Sequence, residues 1–409
     1  MREQFLNAAI QIGNNICRDA LRHNGQANWI GANSDIVGNG ARPYYAALKG
    51  AWYDGTSGIA WFLAQLYSVS GEKRHAKLAL EAIEQALSVA PKIEHGKLGF
   101  HAGQVGIAFS SIEIGEKTGS SELIERGLHL LSSLRNLQES EYTLDVIDGC
   151  AGAIPAIIRI NQRYSDLALD TLLFKMGDYL LREAQAEHTG ISWNTMPEGT
   201  SANLTGYAHG TAGIAAGLLE LWHYTRDERY QKAAFAGFAY EDACYDATQK
   251  NWPDFREYET ANSTGEASAP RCGCAWCHGA PGIGLARLRA FQLTDKESFK
   301  STGLAAADTT AGHFSRRQLG NFSLCHGLFG NADLLFSASE MTGDEGFAQK
   351  VEVVAAEAIE QFQKRNIPFP NGTPGDFNAP DMMLGQAGIG YGFLRLFDRI
   401  RFESVLLVH

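Results

Sequence analysis

No stretch of this sequence approaches the roughly 18 consecutive apolar residues that a membrane-spanning helix needs. The opening Met1-Arg2-Glu3-Gln4-Phe5 lacks the basic-then-apolar pattern of a secretory signal. A cytoplasmic address without membrane insertion is the expectation. Basic residues are in the minority, 35 Lys and Arg against 46 Asp and Glu for a net charge of −11, so no nucleic-acid footprint is visible. Alternating runs of Val, Ile, Thr and Tyr between turn pairs hardly occur, which argues against a sheet as the frame. Cysteine is neither abundant nor paired in number: Cys17, Cys150, Cys244, Cys272, Cys274, Cys277 and Cys325 make seven. An odd count without an export signal points to reduced thiols rather than a disulfide framework.

What the sequence does have is one short phrase written seven times. Gly-x-x-Gly followed by an apolar, helix-forming run begins at Gly55, Gly103, Gly149, Gly210, Gly279, Gly327 and Gly385. Successive copies lie 48, 46, 61, 69, 48 and 58 residues apart, so a single supersecondary unit is repeated over roughly residues 50 to 400. After each phrase the apolar spacing is helical, as with Ile59, Phe62, Leu63 and Leu66. A second amphipathic segment follows, for example Lys73 to Val89 or Glu345 to Lys364. Seven helix pairs with charge-poor inner members favour closure over an open stack. The expected fold class is therefore all-α, an (α/α) toroid or double α-barrel of seven helix pairs. The glycine phrases would form the turns entering the inner helices, all at one end of the ring, with Gly supplying positive φ and close backbone approach. Residues 1–40 read as an amino-terminal helix, from Glu3 to Leu21, and a Gly/Asn-rich link; residues 41–409 read as the barrel domain. Two polar stretches, Glu187 to Thr205 and Asn251 to Arg271, account for the longest steps and are expected to be loops facing a substrate.

Two of the seven phrases carry a Cys-His pair in front: Cys277-His278 and Cys325-His326. If the turns share one mouth, Cys277, Cys325 and His326 offer two thiolates and an imidazole to a Zn²⁺ ion, leaving a fourth position open. The competing readings are that both cysteines are small core residues, or that Cys272, Cys274 and Cys277 build a structural four-ligand site with a distant partner. His278 is either a fourth ligand or a polar group lining the site, and the lining role is favoured because adjacent residues seldom both reach one metal unless the turn is sharp. His209 has the same phase in the preceding repeat and could act as a general acid or base, or be a hydrogen-bonded structural histidine. Asp145, four residues before Gly149, could orient an imidazole or cap the turn, and Asp148 competes for the orienting role.

The segments Trp276-Cys-His-Gly-Ala-Pro-Gly-Ile, Leu324-Cys-His-Gly-Leu-Phe-Gly-Asn, Gly206-Tyr-Ala-His-Gly-Thr-Ala-Gly-Ile and Leu384-Gly-Gln-Ala-Gly-Ile-Gly-Tyr-Gly resemble the lanthionine synthetase C-like family. Trp29-Ile-Gly, Tyr53-Asp-Gly-Thr-Ser-Gly-Ile-Ala-Trp-Phe-Leu-Ala and the ending Ser404-Val-Leu-Leu look most like the cyclase domain of class II lanthipeptide synthetases, without their dehydratase half. The resemblance implies a double α-helical barrel and one Zn²⁺ per chain held by Cys277, Cys325 and His326. It implies His209 as acid/base and Asp145 as its assistant. The implied reaction is addition of a peptide cysteine thiol to dehydroalanine or dehydrobutyrine, with His209 or His278 delivering a proton and a thioether ring as product. The partners would be a dehydrated precursor peptide and a separate dehydratase. Where the class I branch has Tyr and an Arg four residues upstream, this sequence has His278 and Gly273, with Arg271 only a loose substitute. The alternatives are addition of glutathione or another thiol to dehydrated proteins, a non-catalytic zinc-stabilised peptide-binding scaffold, and a sugar-active toroid. Met1 and the amino-terminal helix lead to the expectation of a self-sufficient protein.

Overall fold

A computed structural model describes residues 2–37, 40–256, 270–315, 320–375 and 377–408. Among these residues, seven inner helices run α2 (Thr56–Ser70), α4 (Gln104–Thr118), α6 (Cys150–Tyr164), α8 (Thr211–Thr225), α10 (Ala280–Thr294), α12 (Leu328–Thr342) and α14 (Gln386–Phe397). Seven outer helices are α1 (Arg2–Arg18), α3 (Lys73–Val89), α5 (Ser121–Ser133), α7 (Leu167–Arg182), α9 (Glu228–Ala243), α11 (Glu297–Ser315) and α13 (Gly346–Gln361). The two sets differ as their sequences require. Every residue of α2 from Thr56 to Leu66 is buried, because an inner helix has neighbours on all sides. In α3 only the stripe His75, Leu78, Ala79, Ala82, Ile83 and Ala86 is buried. The last inner helix packs against the first, α14 on α2, so the array is a closed toroid.

Each inner helix starts immediately after the first glycine of a phrase, which is its N-cap. Of the two reasons expected for glycine, close backbone approach holds in every phrase and positive φ in one. Only Gly279 has a positive φ, 99°, whereas the other six N-cap glycines are extended. Close approach is what selects the residue. At the second glycine of every phrase, from Gly58 to Gly388, an added Cβ would fall on the carbonyl oxygen of the residue six positions earlier.

These tight turns are joined into a belt. Tyr53 N donates to His101 O, Ala102 N to Ile147 O, Val146 N to Ala208 O and Ala208 N to Cys277 O, all within 2.8–3.2 Å. Cys277 N donates to Cys325 O (3.3 Å), Cys325 N to Met383 O (3.0 Å), and Met383 N returns to Tyr53 O (2.9 Å). Seven turns are thus stitched head to tail around one end of the ring. Cys277 and Cys325 become direct neighbours in that belt.

The other end is filled by the tail. Val405, Leu406, Leu407 and Val408 are buried, Ser404 Oγ donates to Asp333 Oδ2 at 2.6 Å, and Asp333 pairs with Arg395 at 2.7 Å.

The amino-terminal segment corrects two expectations. The helix ends at Arg18 rather than Leu21, and it is the outer partner of α14, with the Phe5 and Phe393 rings stacked 6.2 Å apart. The link after it is β-structure: β1 (Leu21–His23) pairs with β2 (Gln26–Asn28), and β3 (Ile30–Val37) with β4 (Gly40–Ala47). The signal for the first hairpin is in the sequence. Asn24-Gly25 is the dipeptide suited to a two-residue turn with both φ positive, observed at 48° and 76°. A short pair, β5 (Gln185–Ala186) with β6 (Ile191–Ser192), opens the Glu187 to Thr205 stretch. Of the stretch Asn251 to Arg271, residues 257–269 lie outside the described residues.

Candidate active site

Under the belt lies a cavity of about 570 Å³ lined by Tyr53, Asp54, Ile147, His209, Asp254, Arg256, Cys277, His278, Cys325 and His326 among others. Most of its walls come from residues one and two positions before the glycine phrases, and the rest from Asp254, Arg256, Gly273 and Ala275. Asp148 and Leu384, which share that phase, are not among its lining residues.

The two thiols meet. Cys277 and Cys325 are hydrogen-bonded to one another, and Tyr53 is hydrogen-bonded to Cys325. The hydrogen bond from Cys325 holds the Cys277 thiol below its ordinary pKa, and the same bond together with burial holds Cys325 above it. One sulfur of the pair is therefore disposed to carry charge while the other keeps a proton. His326 reaches the same cavity from the next residue, but its ring is at the exposed rim, with Nε2 3.0 Å from Gly372 O. Donation from Nε2 to that carbonyl leaves the Nδ1 lone pair available. Among the described residues, no three His, Cys, Asp or Glu side chains stand together at metal-ligand spacing. The structure thus unites the thiol pair and places His326 beside it without drawing all three onto one point. In kind the donors suit zinc: two soft sulfurs and an imidazole whose other nitrogen is held by a backbone carbonyl.

Facing the thiols is a His–Asp pair. His209 Nδ1 lies 2.5 Å from Asp145 Oδ2, and Asp145 Oδ1 accepts from Asp148 N at 2.8 Å. One carboxylate therefore both fixes the histidine and caps its own turn, while Asp148 contributes its backbone amide to that cap and acts on His209 through its charge. Burial lowers the affinity of His209 for its proton. The bond to Asp145 and the charges of Asp145 and Asp148 outweigh it, so the pKa is raised. His278 is buried with its ring stacked on His209 at 6.2 Å between centroids. Burial, seconded by Arg256, pushes its pKa down to about 4, so it is neutral near pH 7. Its Nε2 has no hydrogen-bond partner among the described residues, and its Nδ1 is 4.0 Å from Asp254 Oδ2.

Three lining residues were not found by sequence reasoning. Tyr53 sits two residues before Gly55, the phase of Cys277 and Cys325 in their own phrases, so the repeat register could have identified it. Asp254 and Arg256 belong to the polar stretch outside the repeat, where no periodicity marks them. Arg271 is exposed, and its part in the structure is a backbone carbonyl that accepts from Asp254 N at 2.8 Å. The cation beside the thiols is Arg256 instead. Cys272 and Cys274 stay apart from the Cys277–Cys325 pair; neither lines the cavity.

The lanthionine synthetase C-like protein family matches residues 47–407. Among curated relatives, the lacticin 481/lactococcin biosynthesis protein LcnDR2 of Lactococcus lactis subsp. lactis is 24% identical over 385 residues, covering 90% of this chain. The chain spans only 38% of that relative's length. The nisin biosynthesis protein NisC of the same organism is 26% identical over 317 residues, 68% of this chain and 70% of NisC. Among solved structures, nisin cyclase superposes with a TM-score of 0.64 at 18% identity, covering 88% of this chain and 92% of the cyclase. A GH76 α-mannanase from Bacteroides thetaiotaomicron gives 0.52 at 10% identity over 98% and 96% of the two chains. Both likenesses are of fold.

Proposed function

The chain belongs to the lanthionine synthetase C-like family, and we propose that it is a zinc-dependent cyclase closing thioether rings in a dehydrated, ribosomally made peptide. The observation that carries this reading is a single cavity holding both the Cys277–Cys325 thiol pair and the His209–Asp145 pair. Zn²⁺, held by Cys277, Cys325 and His326, would supply the acidification of a substrate cysteine thiol.

The chain's own residues account for the rest. Tyr53 keeps Cys325 oriented within the thiol pair. The substrate sulfur adds to the β-carbon of dehydroalanine or dehydrobutyrine, and the α-carbon must then gain a proton. His209 is the donor. Its Nδ1 is engaged by Asp145, which leaves Nε2 to hold the transferable proton when the ring is charged, and its raised pKa favours that charged form. His278, neutral and buried beside it, lines the substrate's path and offers a hydrogen bond rather than a charge. The biosynthesis proteins among its relatives support a peptide substrate, whose dehydrated residues a separate dehydratase would supply.

The test is incubation of the purified chain with a dehydrated, thiol-containing peptide, followed by alkylation and mass measurement. Ring closure leaves the intact mass unchanged, so loss of alkylatable thiol at constant mass is the expected result. Retention of every thiol with zinc bound refutes the cyclase reading. A gain of one glutathione mass when that thiol is added would assign the chain to intermolecular addition instead.

A further inference from the structure

We propose that Arg256 is a catalytic residue of this reaction, holding the carbonyl oxygen of the dehydrated residue on which negative charge develops. The inference rests on the cyclase reading and adds a group that the sevenfold repeat does not supply. As the sulfur–carbon bond forms at Cβ, the alkene π pair moves into the Cα–carbonyl unit and its oxygen takes the charge. The substrate thiol's proton leaves to solvent when it ionises, and Cα later receives one from His209, so atoms and electrons balance. Donors already fixed around such an oxygen stabilise the transition state without reorganisation.

Arg256 meets the requirements of that role. Among the described residues lining the cavity it is the one permanently cationic side chain. It lines the same cavity as Cys277, Cys325, His209 and His278, and its charge acts on all four. The segment that carries it is anchored at several points. Trp252 is buried with Nε1 on Glu241 O at 2.9 Å. Asn251 accepts from Ala280 N, the first residue of α10, at 2.8 Å. Ser201 N donates to Phe255 O at 3.0 Å. The guanidinium is held flat by Asp254, with Nε 3.0 and 3.1 Å from the two carboxylate oxygens and Nη2 2.5 Å from one of them. The acceptor carbonyl is therefore drawn toward Arg256, the cation of the cavity, and the α-carbon is turned toward His209 in the same cavity.

The experiment compares wild type with Arg256→Ala, Arg256→Gln and Arg256→Lys, reading single-turnover ring closure by thiol alkylation, zinc content by metal analysis, and folding by circular dichroism. Ala and Gln are expected to slow closure on the order of 100-fold, the scale of one lost oxyanion donor, with zinc and helicity unchanged. Lys is expected to fall between. Added guanidinium ion restores part of the Arg256→Ala rate and none of the wild-type rate. A folded neutral variant closing rings within about threefold of wild type overturns the assignment. The Gln amide reaches the position of Arg256 Nε and can keep a hydrogen bond to Asp254 there, so it carries the test should Ala unfold. An inactive wild type refutes the cyclase reading itself and is thereby distinguishable.

Discussion

Replacing Asp145 by Asn probes the proton-transfer step through one hydrogen bond. Asp145 Oδ2 accepts from His209 Nδ1 at 2.5 Å while its Oδ1 accepts from Asp148 N at 2.8 Å. Asn keeps the second bond through its carbonyl oxygen, so the turn is preserved. Its amide nitrogen then meets Nδ1 and cannot accept a proton, and the charged imidazole loses its partner. A hydrogen bond to a charged group contributes about 1.5–3 kcal/mol, which corresponds to roughly 10- to 100-fold in rate at about 1.4 kcal/mol per decade. Ring closure near pH 8 is therefore expected to fall by about that factor, and the loss should shrink as pH drops and His209 is protonated regardless. The assay is the pH profile of single-turnover thiol loss, paired with NMR titration of the His209 ring. Folding linkage gives a second sign. The folded-state pKa of His209 is raised, so the stabilisation is complete below the unfolded value of about 6.5 and fades as pH climbs through the folded value. The melting advantage of wild type over the variant should thus be larger near about pH 6 than near about pH 9. Identical pH profiles for the two proteins would refute the claim that Asp145 acts through His209.

Metal analysis is expected to find about one zinc per chain, in keeping with a three-residue site, and to find it lost in Cys325→Ala; full zinc in that variant would remove Cys325 from the site. Gly330→Ala forces a methyl onto Leu324 O and is expected to cost about 1–3 kcal/mol by denaturant titration, with a shift in the Cys325 turn that lies in the same phrase; an unchanged midpoint would contradict the close-approach argument. Arg395→Met strands the buried Asp333 carboxylate, now paired at 2.7 Å, and should lower stability by about 3–5 kcal/mol. The partner change Asp333→Asn in that background should recover part of it, as a double-mutant melt would show.

How much was legible in the sequence follows from what repeats. The glycine phrase fixes seven turns, and each inner helix begins at the phrase itself because no side chain fits between the turn and its own upstream carbonyl. The apolar stripe of Lys73–Val89 yields α3 with the same boundaries. The Cys-His pairs and their phase mate His209 were accessible for the same reason, since register in a repeat is position in space, whereas Asp145, four residues before Gly149, was singled out by the family resemblance. Where repetition ends, so does that legibility. The hairpins after α1 were read as a link, although Asn24-Gly25 marked the first turn.

The sequence by itself determined an all-α ring of seven helix pairs, the end of the ring where chemistry gathers, and the residues Cys277, Cys325, His326, His209, His278 and Asp145 as candidates. Only the tertiary structure decided how these relate. Closure of the hydrogen-bonded belt from Met383 back to Tyr53 makes Cys277 and Cys325 neighbours and brings Tyr53 to them. A carboxylate that sequence offers equally as cap or orienter serves as both. Arg256, not Arg271, supplies the cation, because an irregular segment is placed by anchors far apart in the chain, Trp252 under Glu241 and Asn251 on α10. Local patterns encode turns and helices; long-range closure determines which side chains share a cavity, and with it every pKa in the site.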